Sequence, residues 1–336
     1  MGIWVDHHLQ LRSRRQLLLG ASAVACAPVL PGCEWLIDKP ITIASHVWVG
    51  YEPLFLARDK GWLNPNQVLL QQTRSAQASI QALFEGKVHG AALTLDEMLV
   101  ARAAGLSLTL VFVFDISAGA DMLVARRGNK TLADLRGRRI GYETSSVGQL
   151  MLAQVLQEAQ LGKENVQLVP LALDQQAEAW ARYQIDALIT FEPLASQLLN
   201  QGAIRLFDSR RIPDTLIDVM AMRSDALDFV HASAIDHLVK SHFQALDHLT
   251  RNPQDAAYRM TRHLKLPVAD VLQAFKGLEL PDAAANYRLL SGSAPKLLVS
   301  ASKLSKRMTH NGLLPKEDTL LNLIQAEFLP TDALAK

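Results

Sequence analysis

The amino-acid sequence predicts an α/β protein built as two lobes, with a helical C-terminal part packed on the first lobe. From about residue 40 to residue 223, short apolar runs alternate with helical segments, which is the pattern of βαβ units with parallel strands. That region contains more predicted strands than one open sheet takes comfortably, which favours two lobes. Residues 225–329 are nearly all helical in character and are punctuated by prolines.

The composition indicates a folded chain. The 336 residues are 49% hydrophobic and 20% charged, which suffices for a well-filled core in two ordinary domains. The 34 Lys and Arg residues nearly balance the 33 Asp and Glu residues, and the net charge is +1. A strong basic field is therefore absent, and no nucleic-acid partner is expected.

Residues 1–32 are predicted to be a signal peptide. Arg12, Arg14 and Arg15 precede the apolar run Leu17–Leu30, and small residues follow it. As a helix this run rises only ~21 Å, short of the ~30 Å hydrocarbon core of a membrane, so it is a poor permanent span. The chain is therefore expected to be exported to the periplasm, with residues 33–40 as a linker.

Cys33 is predicted to carry a lipid that anchors the protein in the membrane. The segment Leu30–Cys33 resembles a bacterial lipobox, in which the cysteine becomes the lipidated first residue, although Pro31 is not favoured at its position. Cys26 is a weaker alternative, and a plain signal peptide with incidental cysteines is the other interpretation. Residues 13–18 also resemble a twin-arginine signal, which leaves the export route open.

The mature chain keeps no cysteine apart from Cys33. Cysteine catalysis, CxxC redox chemistry and thiolate zinc sites are therefore excluded from the mature domain. An exported chain without disulfides has to be stabilised by core burial, and ~300 residues are enough for that.

The first lobe is assigned to residues 41–121 and 224–330. Pro53 is suited to the first turn of a helix, and apolar residues at helical spacing predict another helix at 75–87. Residues 108–114 are apolar almost throughout, as in a buried strand. The predicted elements of residues 41–121 are a strand at 41–44, a helix from Pro53 toward Gly61, a helix at 75–87, a strand at 91–93, a helix from a cap at Asp96 to Ala104, and a strand at 108–114.

The second lobe is assigned to residues 122–223, where the alternation continues. Its short apolar runs predict strands, and the longer amphipathic runs between them predict helices. The strands are expected at 122–125, 139–142, 166–169, 187–190 and 216–222, and the helices at about 146–160, 176–184 and 194–201.

Four segments carry a family resemblance. They are WVGYEPLFLARDKGWL at 48–63, GKVHGAALTLDEMLVARAAG at 86–105, LADLRGRRIGYETSSVGQLMLAQVL at 132–156 and QIDALITFEPLASQLLNQGAIRLFDSRRIP at 184–213. In this order they resemble the bacterial substrate-binding proteins of ABC transporters from the nitrate, alkanesulfonate, taurine and thiamine-precursor group. The resemblance spans about residues 41–223, and the helical tail matches only in general character.

The resemblance implies a type II periplasmic-binding fold, in which two lobes joined by two crossover strands enclose a ligand in a cleft. Residues 122–126 and 216–223 are then the expected crossovers. It also implies a monomeric, non-enzymatic protein that captures a small organic solute, sulfonate-, amine- or pyrimidine-like, and delivers it to an ABC permease and its ATPase. No cofactor or metal is expected.

Candidate ligand contacts are sought near the carboxyl ends of strands, because ligands bind there in open α/β sheets. Trp48 and Tyr51 each offer a flat apolar face with one polar group. Glu52 is either a partner for an amine or a cap of the helix that follows, and Thr94 ends a strand. Asp96 is expected to cap its helix rather than to contact ligand.

Further candidates lie at the crossover and in the second lobe. Ser117 lies where the chain passes between the lobes. Thr144, Ser145 and Ser146 open a long helix, whose free N–H groups and dipole favour an anion, with ordinary N-capping as the alternative. Glu192 ends a strand as an amine acceptor or as a helix cap. Together these residues suggest a small zwitterion, and the scarcity of Lys and Arg in the loops argues against a nitrate-like anion.

Enzyme motifs are weak in this sequence. HExxH, GxSxG and a phosphate loop are absent. The segments 293–296 and 300–303 both satisfy S-x-x-K, but the SDN and KTG sequences of penicillin-recognising enzymes are missing, so such an enzyme is a minor alternative. A membrane-tethered sensor that acts on a signalling partner is the other alternative to transport.

Overall fold

The computed structural model describes residues 39–330, so the predicted signal peptide, Cys26 and Cys33 lie outside the described residues. The strands are β1 (Ile41–Ser45), β2 (Val68–Gln72), β3 (Gly90–Thr94), β4 (Leu108–Ser117), β5 (Asp121–Ala125), β6 (Arg139–Tyr142), β7 (Gln167–Pro170), β8 (Ala187–Phe191), β9 (Ile204–Asp208), β10 (Ile217–Arg223) and β11 (Leu278–Glu279). The helices are α1 (Glu52–Asp59), α2 (Ala76–Phe84), α3 (Leu95–Ala103), α4 (Ser146–Ala159), α5 (Leu173–Ala181), α6 (Leu194–Asn200), α7 (Ala232–Arg251), α8 (Pro253–Leu264), α9 (Val268–Ala274), α10 (Ala283–Leu290) and α11 (Lys296–His310).

The first sheet has the strand order β11-β4-β10-β3-β1-β2. β1 runs parallel to β2 and β3, whereas β10 runs antiparallel to β3 and β4. The chain leaves this sheet after β4 and returns to it as β10. The first sheet is therefore assembled from two separate parts of the sequence.

The second sheet has the strand order β7-β6-β8-β5-β9. β6 runs parallel to β7 and β8, and β5 runs antiparallel to β8 and β9. Alternate β5 residues belong to different cores: Leu123 packs with Met151 of α4, whereas Val124 packs with Trp180 of α5. Both faces of the sheet are therefore covered by helices, which explains the nearly uninterrupted apolar runs of β5 and β8.

Two connections join the sheets within residues 39–330, and they run side by side. The Oγ atoms of Ser117 and Ser209 are 2.8 Å apart, and the Ser117 N–H donates to the Leu216 carbonyl at 2.9 Å. The predicted crossover at 122–126 largely coincides with β5 of the second sheet, and the predicted crossover at 216–223 largely coincides with β10 of the first sheet. The lobe boundaries stay a prediction, but the pairing of β10 favours an end of the second lobe before residue 217 rather than at 223.

The C-terminal helices pack on the first sheet. Ile235 and Leu238 of α7 and Leu297 of α11 belong to the same buried core as Ile41 of β1 and Val111 of β4. This confirms the predicted architecture, a two-lobed α/β fold with a helical C-terminal part on the first lobe. Within the described range, no helix is long and apolar enough to span a membrane.

Groups from the C-terminal part complete backbone hydrogen bonds of β4, because β11 is only two residues long. The fully buried Asn286 accepts the Val113 N–H at 2.7 Å and donates to the Val113 carbonyl at 3.0 Å. The Leu110 N–H donates to the Leu323 carbonyl at 2.8 Å. Buried backbone groups need such partners, so these contacts fasten the C-terminal part to the sheet.

The structure differs from the prediction in two respects. The strands β2, β9 and β11 were not predicted. The predicted cap at Asp96 is wrong, because Thr94 is the N-cap residue of α3 and Glu97 accepts the Thr94 N–H at 3.0 Å. Asp96 lies in the first turn and is fully buried.

Candidate functional site

A cavity lies between the two sheets, at the carboxyl ends of β1, β3, β6 and β8. Its empty volume, with its open mouth included, is about 460 Å³. We call it the intersheet cavity. It is lined on the side of the first sheet by His46, Trp48, Tyr51, Ala76, Thr94, Glu97, Leu216 and Asp218, and on the side of the second by Asp121, Glu143, Ser145, Val147, Leu173 and Phe191.

Some of the nine candidate ligand contacts line this cavity, and their contact with a ligand stays a prediction. Those on its surface are Trp48, Tyr51, Thr94 and Ser145. Those that do not line it are Glu52, Ser117, Thr144, Ser146 and Glu192. Thr144 and Ser146 line a neighbouring depression that shares Glu97, Glu143 and Ser145 with the intersheet cavity.

Glu52 is turned away from the intersheet cavity by a partner on another helix. Its carboxylate shares a short hydrogen bond with the ring of His263 on α8, and that ring stacks on Phe55 with centroids 4.0 Å apart. Burial raises the pKa of Glu52, and the contact with His263 opposes the rise. Glu52 therefore fastens α1 to α8, and its predicted role as an amine partner in the cleft has no support from its placement.

Glu192 and Ser117 are also engaged within the protein. Glu192 accepts hydrogen bonds from the Ser196 N–H at 3.1 Å and from the Ser196 hydroxyl at 2.8 Å, in the first turn of α6, whose N-cap residue is Pro193. Ser117 binds Ser209 and accepts the Asp121 N–H at 3.3 Å. The Glu192 carboxylate is thus engaged with the first turn of α6, and its role as an amine acceptor stays a prediction.

Trp48 is held in place by a carboxylate of the first sheet. Its indole N–H donates to Asp115 Oδ2 at 3.2 Å, and both residues are buried. A Cβ on residue 50 would overlap both Asp115 Oδ2 and the indole nitrogen, so Gly50 is required for this pair to form. Burial raises the pKa of Asp115 to about 7.

Tyr51 is paired with a second carboxylate. Its hydroxyl donates a short hydrogen bond to Asp218, and burial together with nearby carboxylates raises the pKa of Tyr51 well above its ordinary value. Asp218 lies opposite both Asp115 on β4 and Thr94 on β3 in the strand register. Two acidic residues directly opposite each other on paired strands are ordinarily destabilising.

Further carboxyl groups approach from α3 and from the second sheet. Glu97 is buried, and burial together with repulsion from Asp96 raises its pKa to about 8. Asp121 begins β5, and burial raises its pKa to about 7, with further contributions from Asp96 and Glu192. The cavity is therefore surrounded by acidic groups that hold protons near neutral pH.

An aromatic contact crosses the intersheet cavity. Phe191 ends β8 and is the direct strand partner of Asp121. Its ring meets the Trp48 indole edge to face, with centroids 5.3 Å apart. The two sheets thus touch at the cavity through aromatic side chains, a geometry that contributes ~0.5–1.5 kcal/mol beyond area burial.

The Ser145 hydroxyl at the N-terminal end of α4 is engaged by a carboxylate of the chain itself. Ser145 accepts the Gly148 N–H at 3.2 Å, and its hydroxyl donates to Glu143 at 3.0 Å. A Cβ on residue 148 would overlap the Glu143 carbonyl oxygen, so Gly148 allows this close turn. The expected anion-binding donors at Ser145 therefore already face an acidic group.

In its described residues, the polar lining of the intersheet cavity contains acidic side chains without Lys or Arg to balance them. Glu97, Asp121, Glu143 and Asp218 line it, and no Lys or Arg is among the lining residues that the structure describes. Burial lowers the pKa of His46 to about 4, so this ring is neutral at pH 7. Among residues 39–330, no group of three or more His, Cys, Asp or Glu side chains could hold a metal ion.

Sequence reasoning did not select most of these acidic residues. Asp115 and Asp218 each interrupt a strongly apolar strand, VFVFDIS and LIDVMAM, and a charged residue inside such a run was the available signal. Glu97 lies in the first turn of α3, Glu143 lies in the loop after β6, and Phe191 is the last residue of β8. Their neighbours Thr94, Ser145 and Glu192 were selected instead.

The two sheets, the paired crossovers and the cavity between the sheets define a two-lobed binding fold. The chain belongs to the NMT1-like family, whose model matches residues 38–262. A binding protein of Brucella abortus is 32% identical over 75 residues, 22% of this chain and 24% of that protein. An aliphatic sulfonates-binding protein of Escherichia coli is 27% identical over 110 residues, 32% of this chain and 34% of that protein. The match thus spans a quarter to a third of the length of these relatives.

Solved structures share the fold along most of the chain. The alkanesulfonate-binding protein SsuA of Xanthomonas axonopodis pv. citri, bound to MOPS, has a TM-score of 0.70 at 19% identity and covers 86% of this chain and 99% of its own. The nitrate-binding protein NrtA of Synechocystis has a TM-score of 0.69 at 12% identity, with 89% of both chains covered. A mutant of the desulfurization enzyme DszB, in complex with biphenyl-2-sulfinic acid, has a TM-score of 0.66 at 19% identity and covers 89% of this chain and 100% of its own.

Proposed function

We propose that this chain is an exported solute-binding protein that captures a small organic solute in the intersheet cavity and delivers it to an ABC permease and its ATPase. The observation that supports this most strongly is that both sheets contribute side chains to one cavity, where Trp48 meets Phe191. A ligand in this position contacts both lobes, so its binding energy favours the closed arrangement over an open one. The permease then recognises the closed, loaded form.

The names of the similar proteins support a binding role more than a catalytic one. Most of them are binding proteins, for sulfonates or nitrate among others, whereas DszB is an enzyme with the same fold. Residues 39–330 contain no cysteine, and Ser300 and Lys303 of the S-x-x-K motif lie on α11 and do not line the intersheet cavity. We therefore propose a role without catalysis.

The membrane anchor belongs to the same proposal and rests on the sequence. Lipidation of Cys33 would hold a monomeric protein at the membrane beside its permease. One acyl chain anchors weakly and two or more anchor stably, so the lipidated protein is expected in the membrane fraction. Cys33→Ser should move it to the soluble fraction without loss of folding. If the variant stays in the membrane fraction, Cys33 is not the anchor, and Cys26→Ser becomes the next test.

A thermal-shift screen tests the binding function. A ligand that binds only the folded protein stabilises it by ~2.7 kcal/mol when its concentration is a hundred times Kd, which raises Tm measurably. Sulfonates, amines, pyrimidines and carboxylates should be screened against the protein without its lipid. A rise in Tm with one class and not with the others is expected, and no rise with any class would contradict solute binding.

The genetic neighbourhood separates transport from sensing. Adjacent genes for a permease and an ATPase are expected if the protein delivers its ligand. An adjacent gene for a membrane kinase or cyclase, without a permease, would favour the sensor.

A further inference from the structure

The charge of the intersheet cavity is unsuited to the anions that several structural neighbours bind. Four carboxyl groups line it, and its described lining contains neither Lys nor Arg. The single basic side chain there, His46, is neutral because burial lowers its pKa. At a pH where these carboxyl groups are ionised, a sulfonate or carboxylate placed in this cavity would face negative charge without a compensating positive charge, which is costly in a largely buried site.

The acidic groups are close enough to disfavour one another. Asp115 and Asp218 are direct partners in the strand register, and repulsion from Asp115 is among the causes that raise the pKa of Asp218. Repulsion from Glu143 adds to the rise at Glu97. Such clustering lowers stability in the empty protein, and strained groups of this kind are concentrated at functional sites.

Two features other than the carboxyl groups bear on which ligand this lining binds: an imidazole nitrogen without a described partner and a set of aromatic rings. The side chain of His46 is 9% exposed, lines the cavity, and its Nδ1 atom has no hydrogen-bond partner among the described residues. Trp48, Tyr51 and Phe191 surround the same space with aromatic rings. Aromatic faces attract cations, and the attraction strengthens when the cation is desolvated.

We infer that the intersheet cavity binds a small organic cation, held by the carboxylates of Asp121, Asp218 and Glu97 and by the rings of Trp48, Tyr51 and Phe191. This rests on the proposed function and names the substrate class of the same site. An organic cation fits better than a metal ion, because the described residues offer no metal-binding group and the aromatic rings supply part of the lining.

Binding of a cation should release protons from the carboxyl groups of the cavity. Carboxyl groups that are protonated in the empty cavity become ionised beside the positive charge, so the complex forms with release of protons. Affinity for a cation therefore rises with pH until the carboxyl groups are ionised in the free protein as well. The titratable groups around the cavity are Asp96 and Glu97 of α3, Asp115 of β4, Asp121 of β5, Asp218 of β10, Glu143 after β6, Glu192 after β8, Tyr51 and the neutral His46.

Three probes that share a hydroxyethyl group and differ in the charge of a compact head group test the inference. They are choline, the neutral 3,3-dimethylbutan-1-ol and the anionic 2-hydroxyethanesulfonate. Choline keeps its charge at every pH, so any change in its affinity between about pH 6 and about pH 8 reports on the protein. Choline is expected to bind at least ~10-fold more tightly than the alcohol at about pH 8, with weaker binding at about pH 6. The sulfonate should not bind at about pH 8.

Substitutions test whether the carboxyl groups of the intersheet cavity bind choline. Asp121→Asn and Glu97→Gln keep the shape of the side chains and should weaken choline binding ~10-fold or more, with a smaller pH dependence. Asp247→Asn is the control, because Asp247 lies on the surface of α7 beside Arg251 and should leave binding unchanged. Circular dichroism checks that the variants fold.

The outcomes separate this inference from the proposed function. Preferential binding of 2-hydroxyethanesulfonate would overturn the cation assignment and still support solute binding. Equal binding of choline and its neutral analogue, an affinity for choline that falls as pH rises, or no binding of choline at about pH 8 would also overturn it.

Discussion

Replacing Asp115 with Asn should make the ligand-free protein more stable at high pH. Asp115 is fully buried, accepts the Trp48 indole N–H and lies opposite Asp218, and its pKa is raised from 3.8 to about 7, mainly by burial. The folded protein therefore keeps this proton to a higher pH than the unfolded chain does. As pH rises from about 4 to about 7, the free energy of unfolding therefore falls by ~4 kcal/mol in total, at ~1.4 kcal/mol per pH unit. Above about pH 7 it stays at this lower value. The amide of the substituted side chain would retain an acceptor for the indole without this cost.

Urea unfolding at several pH values measures the effect. Between about pH 5.5 and about pH 9, only the interval below the folded pKa contributes, so the stability of Asp115→Asn relative to the native protein should grow by ~2 kcal/mol. Ile43→Val is the control, since this conservative substitution of a buried β1 residue should shift stability by the same amount at every pH. A difference between Asp115→Asn and the native protein that stays constant with pH would refute the reasoning.

Three further substitutions test the packing around the site. Gly50→Ala should lower the free energy of unfolding by ~1–3 kcal/mol and displace Trp48, seen as a shifted tryptophan emission, and unchanged emission would contradict the close approach. Combined Ser145→Ala and Ser146→Ala should cost ~1 kcal/mol of stability but change ligand affinity less than ~5-fold, and a larger loss of affinity would restore the anion site at this helix end. Asn286→Ala should cost ~2–3 kcal/mol in chemical denaturation because Val113 loses both partners, and a loss below ~0.5 kcal/mol would show that other groups replace them.

The fold was predictable where burial leaves a local pattern. The apolar strand β4 and the amphipathic helix α4 lie close to their predicted positions, because the pattern of buried apolar residues continues over many residues in each. β2 was missed because only Val68 of its five residues is buried, and the strand ends in two exposed glutamines. β9 likewise places Arg205 on an exposed position between apolar residues. Strands of this kind are defined by their pairing in the sheet, which the local sequence does not show.

The site was predictable only in part for a related reason. Trp48, Tyr51, Thr94 and Ser145 were found because they follow strands, and the carboxyl ends of strands meet at the cavity. Asp115 and Asp218 are about a hundred positions apart in the sequence and become neighbours only through antiparallel pairing. Such proximity cannot be read from a local motif.

Glu52 shows the opposite error. Its position beside Trp48 and Tyr51 suggested the cleft, but successive residues at a helix start point in different directions. The partner that decides its role, His263, is supplied by α8 from the other end of the first lobe. The sequence therefore identified the aromatic side of the site better than its electrostatics.

The central claim, that a solute closes the two lobes on the intersheet cavity, is tested most directly by a distance across its mouth. Spin labels at Gln77→Cys on α2 and Asp174→Cys on α5 mark the exposed positions beside the lining residues Ala76 and Leu173, in a chain whose natural cysteines are replaced by Ser. Double electron–electron resonance should show a broad or long distance distribution without ligand and a single shorter distance with a ligand that raises Tm. A distribution that such a ligand leaves unchanged would contradict the account.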